Sequence, residues 1–306
     1  MTQFHSVMAG LVPAIHAAKR KKSWMRGSNP RMTFAISICF FFLVACPALA
    51  DVSLNGRIEQ GALVLGQALP GSRLTLDGVP VMVGPDGRFA LGFAREAGPQ
   101  SQLLIEEPGQ PVHTRQLSVA PRSWDIQRIE GLPERQVTPD PKTLERIKRE
   151  NEWIVEARSH SLPQALFASG FLQPADGRIS GVFGSQRILN GQARSAHSGV
   201  DFAAPVGAPV LAAADGLVAL AEGDLFYTGQ TVMIDHGLGV NTVYAHLSAI
   251  SVKLGQRVAK GERIGSIGAS GRATGPHLHW GLTVGQVKLD PMSALNFSQP
   301  PPAARP

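Results

Sequence analysis

Apolar and polar positions along this chain fall into three successive patterns. From Asp51 to about Arg122, apolar runs such as "RLTL" and "PVMV" are separated by the turn pairs Pro70-Gly71, Asp77-Gly78 and Asp86-Gly87. That punctuation is what short antiparallel strands and hairpins require. Residues 51–122 are therefore expected to form a small β-sandwich. The pattern then shifts to helical spacing in "TPDPKTLERIKRENEWIVEARS", where Leu144, Ile147 and Ile154 recur and charged residues fill the rest. Asp140 before Pro141 is a helix start, a capping side chain followed by a proline whose missing N–H costs nothing in the first turn. One connecting helix reaching about Ser159 is predicted within a linker over residues 123–166, with its charges on a solvated face.

A third pattern covers residues 167–296. Glycine is frequent, and "PVLAAADGLVALAEG", "TVMIDHG", "NTVYAHL" and "ERIGSIG" are strand-length apolar runs bounded by Gly or Asp, with almost no helical periodicity. This predicts a second β domain, an antiparallel sandwich, so the fold class is all-β with one connecting helix. "APVLAAADGLVALAEGD" and "LGQRVAKGERIGSIG" look like the hybrid β-sandwich repeat of lipoyl carriers and sugar phosphotransfer domains. No lysine stands in the context a carrier needs, so that likeness concerns architecture alone. Residues 297–306 read as a proline-rich tail.

Charge changes the picture less than its total implies. The 306 residues carry a net +6, but Lys19, Arg20, Lys21, Lys22, Arg26 and Arg31 precede position 50 without any Asp or Glu, and residues 51–306 hold 23 basic against 23 acidic. A polyanion-binding role loses its main support. The basic stretch precedes the apolar run "FAISICFFFLVAC" and then "PALA", the order of a secretion signal, with cleavage expected after Ala50. The run falls short of the roughly 18 to 20 residues of a membrane span. Residues 32–50 are read as the signal peptide and residues 1–31 as lying upstream of the true start at Met32. "LVAC" leaves a lipoprotein at Cys46 as the alternative. Cys39 and Cys46 are the only cysteines, so a chain cut after Ala50 must bind any metal through His, Asp or Glu.

Five of the nine histidines lie between positions 197 and 279. In "GPHLHW" His277 and His279 are two apart, so on a strand both imidazoles face the same way. Two histidines are too few for a catalytic zinc, which takes three protein ligands and keeps one position open. "SAHSGVDFAAP" offers His197 and Asp201, a pair that alone would pass for turn polar residues; joined to His279 it makes a His, Asp, His set with an open position.

"HSGVD", "VYAHLS" and "GPHLHW", in that order between His197 and Trp280, resemble the signature blocks of the LytM or lysostaphin-type zinc metallopeptidases, and "GVFGSQ" and "GAPVLAAADGLVALA" match that family's pattern too. The resemblance implies one zinc ion held by His197, Asp201 and His279, with His246 and His277 as the catalytic pair. Ala245, Trp280 and Gly281 depart from the family's usual glycine, phenylalanine and acid, and none is a ligand position. His236 is expected to be structural or to line the groove, Tyr244 to share a strand face with His246 and help hold substrate or orient that imidazole, Arg187 to line the cleft, and His160 to end the helix.

The resemblance further implies an exported endopeptidase acting on peptidoglycan stem peptides, in a Gram-negative periplasm on D-alanine to meso-diaminopimelate bonds. Residues 51–122 are left as a candidate surface for a cell-wall or divisome protein partner, and neither a nucleic-acid partner nor a permanent membrane span is expected. The competing class is a non-catalytic regulator of amidases, which would have lost zinc ligands; none is missing here.

Overall fold

In the computed structural model, residues 52–131 and 138–297 are described. The leader, the cleavage point after Ala50, the Cys46 alternative and the tail beyond Phe297 lie outside them. The strands β1 (Ser53–Asn55), β2 (Leu63–Gln67), β3 (Arg73–Leu76), β4 (Val79–Val81), β5 (Arg88–Gly92), β6 (Gln100–Glu106) and β7 (His113–Ser118) form two small antiparallel sheets, ordered β1-β2-β5 and β4-β3-β6-β7. Asp77-Gly78 joins β3 to β4 with φ of 50° and 79°, the two positive values that a two-residue hairpin turn matched to strand twist demands. Val64, Leu74, Phe89, Leu91, Leu103, Ile105 and Leu117 meet in one apolar cluster between the sheets, as the period-2 alternation of β6 requires.

Strand β8 (Ile126–Ile129) leaves this layer and pairs in parallel with β10. The helix α1 (Pro141–Ser159) starts as its sequence dictates: Asp140 is extended at the cap, and its side chain accepts from Thr143 N at 2.9 Å. Then come β9 (Arg178–Gly181), β10 (Gln186–Leu189), β11 (Gln192–Ala193), β12 (Gly199–Ala203), β13 (Pro209–Leu211), β14 (Gly216–Leu225) and β15 (Gly229–Asp235). The chain continues through β16 (Val240–Ile250), β17 (Arg257–Val258), β18 (Arg263–Ile267), β19 (His277–Val284) and β20 (Val287–Leu289). Apart from β10 and β11, these strands make a sheet of ten whose main path is β17-β14-β15-β16-β19-β12-β9, with β13 on β18, β18 on β16 and β20 on β19.

The two faces of this sheet do different work. Tyr244 and Trp280, opposite one another on β16 and β19, point into a core with Phe202, Val218, Ile234 and Leu278, all at most 1% exposed. Cross-strand partners share a face, so the pairs Val243–Gly281 and Ala245–His279 lie on the other side. Helix α1 covers part of that side by packing Ile154 and Ala157 on Leu220, Leu225 and Met233. Its charges are therefore not all solvated. Glu150 is buried, bonded to Arg146 and accepting from Phe226 N at 2.8 Å, which ties the helix to the end of β14.

Trp124, just ahead of β8, lies edge-on to Phe183 at 5.8 Å between ring centroids, with Arg95 and Arg122 over its ring at 5.2 and 4.7 Å. Arg122 also reaches Asp290 at 2.9 Å, and Arg95 donates to Gly184 O at 2.7 Å. The strand β8 is thereby fixed beside β10.

Candidate metal centre

Neighbouring strands β12 and β19 are in register at Asp201–His279 and Ala203–His277, and His197 ends the loop that enters β12. This brings His197, Asp201 and His279 together although 82 residues separate the two histidines. His197 Nε2 and His279 Nδ1 lie 3.0 and 2.9 Å from Asp201 Oδ1 and 3.0 Å from each other. Ligands around a tetrahedral zinc stand about 3.3 Å apart at metal distances of roughly 2.0 to 2.1 Å. The described residues contain this group, and no other with three such donors converging.

The donor chemistry fits a cation. His197 Nδ1 faces the Val182 carbonyl at 3.0 Å and must carry the proton there, so in the neutral ring Nε2 presents a lone pair. Burial pushes the His197 imidazole down to about 4, against the pull of Asp201, so the neutral ring prevails near pH 7. A lone pair aimed at a carboxylate oxygen repels it unless a positive ion stands between them. Two glycines make the approach possible: a Cβ at Gly181 would lie 2.4 Å from Asp201 Oδ2, and one at Gly199 would lie 2.8 Å from His279 Cε1.

His246 and His277 stand beside the cluster with ring centroids 4.7 Å apart, and His246 is 6.1 Å from the His279 ring. His246 Nδ1 donates to Ser270 O at 2.8 Å, and His277 Nδ1 to Gly275 O at 2.8 Å, which leaves both Nε2 lone pairs toward the site. Burial, then the neighbouring His279 and His277, push His246 down to about 3. The structure thus brings all five expected residues together.

Tyr244 departs from expectation. It is fully buried in the core, its hydroxyl accepting from Ala213 N at 2.8 Å, and has no place in the cleft. The two-residue alternation fails because His246 adopts φ of 61°, a left-handed turn of the strand that swings its side chain to the opposite face. His236 is also buried, its Nδ1 donating to Asp215 O and its Nε2 against the Thr242 hydroxyl, both at 2.7 Å, so it is structural and lines no groove. Arg187 does line the cleft, with its guanidinium 3.4 Å from Asp201 Oδ2. His160 sits at the helix end with Nδ1 3.1 Å from Glu156 O.

Sequence reasoning overlooked Arg272, whose guanidinium stacks on Tyr227 at 4.1 Å and borders the cleft beside His246 and His277. It also overlooked the carbonyls of Val182, Ser270 and Gly275, which no residue type announces. From His246 and His279 a groove of about 630 Å³ runs along the sheet under the flank of α1.

Comparison with known proteins places this geometry in context. Residues 195–291 match the model described as peptidase family M23. A Pseudomonas aeruginosa protein assigned to peptidase M23 superposes with a TM-score of 0.62 at 31% identity, over 78% of this chain and 95% of that one. The peptidoglycan DD-endopeptidase ShyA of Vibrio cholerae is 45% identical over 118 residues, 38% of this chain and 27% of its own. The DD-carboxypeptidase/endopeptidase Mpg of Neisseria meningitidis is 44% identical over 116 residues, 38% of this chain and 26% of its own. The chain thus matches about a quarter of the length of these two curated relatives.

Proposed function

The chain belongs to peptidase family M23, and on that footing we propose that it is a zinc endopeptidase hydrolysing the peptide cross-links of peptidoglycan, at D-alanine to meso-diaminopimelate bonds. The observation that carries this reading is the meeting, at one end of a groove, of three metal-type donors with two imidazoles locked in a single tautomer. Zinc on His197, Asp201 and His279 would supply Lewis acidity toward a carbonyl oxygen and a water.

The chain's own groups perform the remaining work. His246 and His277 each offer an Nε2 lone pair to take a proton from the attacking water, and once protonated each can donate to the developing oxyanion or return the proton to the leaving amine. The Ser270 and Gly275 carbonyls keep those rings from rotating into the unproductive tautomer. The signal expected over residues 32–50 supports action in the periplasm, and among the described residues no helix is long and apolar enough to cross a membrane.

The test is cleavage of cross-linked muropeptides by the purified protein, with products identified by mass spectrometry. His277→Ala should keep its zinc and lose turnover by roughly 10²–10⁴. His279→Ala should lose both metal and turnover. Full activity in His279→Ala, or in the chelator-stripped protein, would refute the mechanism.

A further inference from the structure

The end of the groove far from the histidines is cationic and unsatisfied. Among the described residues that line the groove the only acid is Glu150, whose two oxygens are already taken by Arg146 and Phe226 N, while Arg158 and Lys288 bring positive charge to this end. The floor is the outer face of β19, where His279, Gly281 and Thr283 follow one another at every second position. Thr283 is 2% exposed, and its Oγ1 is buried without a hydrogen-bond partner among the described residues. Lys288 is directly across from it on β20, and Arg158 comes in from the last turn of α1.

Buried donors without acceptors are rare because each costs about 1 to 3 kcal/mol. Arg158 Nε is such a donor, and neither Arg158 nor Lys288 forms an ion pair among the described residues. The Lys288 ammonium is pushed below its ordinary value by desolvation and by the Arg158 charge. A buried guanidinium nitrogen and a buried hydroxyl without partners among the described residues, beside the exposed ammonium of Lys288, leave this end of the groove suited to an anion.

We propose that Arg158, Lys288 and Thr283 form a carboxylate-binding subsite that seats an acidic group of the peptide substrate. Thr283 is four residues along β19 from His279, hence about 13 Å away at about 3.3 Å per residue. An extended peptide lying on that strand would place its carboxylate about four residues from the bond that is cut. The guanidinium, the ammonium and the hydroxyl together supply more donors than one carboxylate has lone pairs, which selects against a carboxamide at the same place. This subsite rests on the endopeptidase reading for the identity of the peptide, though not for its charge.

Binding separates the two claims. A fluorescent muropeptide dimer, and the same dimer with the carboxylate farthest from the cross-link converted to carboxamide, are titrated into the whole protein in chelator, with affinity read by anisotropy. The native dimer should bind about tenfold more tightly than the carboxamide. Arg158→Gln and Lys288→Gln should each abolish most of that preference while leaving the carboxamide dimer unchanged, and Thr283→Val should reduce it several-fold even if Arg158→Gln does not fold. Equal affinity for the two dimers, including no measurable binding of either, or equal weakening of both in the variants, overturns the subsite. A carboxylate preference in a metal-loaded protein that never cleaves the dimer removes the endopeptidase reading and leaves the subsite standing.

Discussion

The buried imidazole of His236 sets a pH limit on stability that can be worked out from its surroundings. Its Nδ1 donates to Asp215 O, so Nε2 is an acceptor for the Thr242 hydroxyl, which stands 2.9 Å from the Tyr244 hydroxyl, itself accepting from Ala213 N. Phe171 meets the ring edge-on at 5.7 Å. A second proton on the ring would be buried here, and burial pushes the imidazole down to about 4, even though Asp215 and Asp235 pull the other way. The unfolded chain titrates near 6.5. Because the folded value is the lower one, stability is fully present above about pH 6.5, is lost as pH falls toward 4, and is lost no further below that. The difference amounts to about 2 kcal/mol at pH 5 and about 3 kcal/mol at pH 4.

His197 and His246 are depressed as well, so the wild-type profile alone does not isolate this group. Urea unfolding of wild type and His236→Gln at pH 7.5 and pH 5.0 does so by subtraction. The wild type should lose about 2 kcal/mol more than the variant across that interval. Parallel losses would refute the reasoning, as would an NMR titration in which the His236 ring of the folded protein protonates near 6.5.

Gly181→Ala should cut zinc affinity by roughly 10- to 100-fold with little change in unfolding midpoint, since its Cβ collides with the Asp201 carboxylate and leaves the core alone; competition with a fluorescent chelator reads this. Arg122→Ala removes both the Asp290 partner and one cation over Trp124, and should cost about 1 kcal/mol in urea melts while speeding proteolysis in the β7–β8 connection. Asp140→Ala should cost about 1 kcal/mol by stripping the cap from α1, whereas Asp140→Asn should cost less than half of that in the same melts.

Much of this architecture could be read from residue patterns, for reasons that also explain the misses. Asp77-Gly78 announces a hairpin because few other pairs tolerate two positive φ values, and Asp140-Pro141 announces a helix start because both residues favour the geometry of the first turn. The five histidine and aspartate residues that the structure brings together were legible through the ordered blocks "HSGVD", "VYAHLS" and "GPHLHW", whose family likeness survives in the sequence. Tyr244 was misplaced since alternation assumes a regular strand, and one left-handed residue at His246 reverses its outcome. The parallel pairing of β8 with β10 joins residues about 60 apart and leaves no periodic trace. The tautomers of His197, His246 and His277 depend on backbone carbonyls, which are invisible to any reading of side-chain types.

The position of β8 bears on what can be inherited or transplanted. The three histidine motifs occupy residues 197–280, but the carbonyl that orients His197 belongs to Val182, the gap that admits Asp201 belongs to Gly181, and Gln127 and Ile129 of β8 wall the cleft beside Arg187. A segment excised at the motif boundaries would take the ligands and abandon the groups that aim them. Recombination or grafting should therefore succeed only when the crossover falls upstream of Trp124, which makes the approach segment part of the smallest exchangeable cassette.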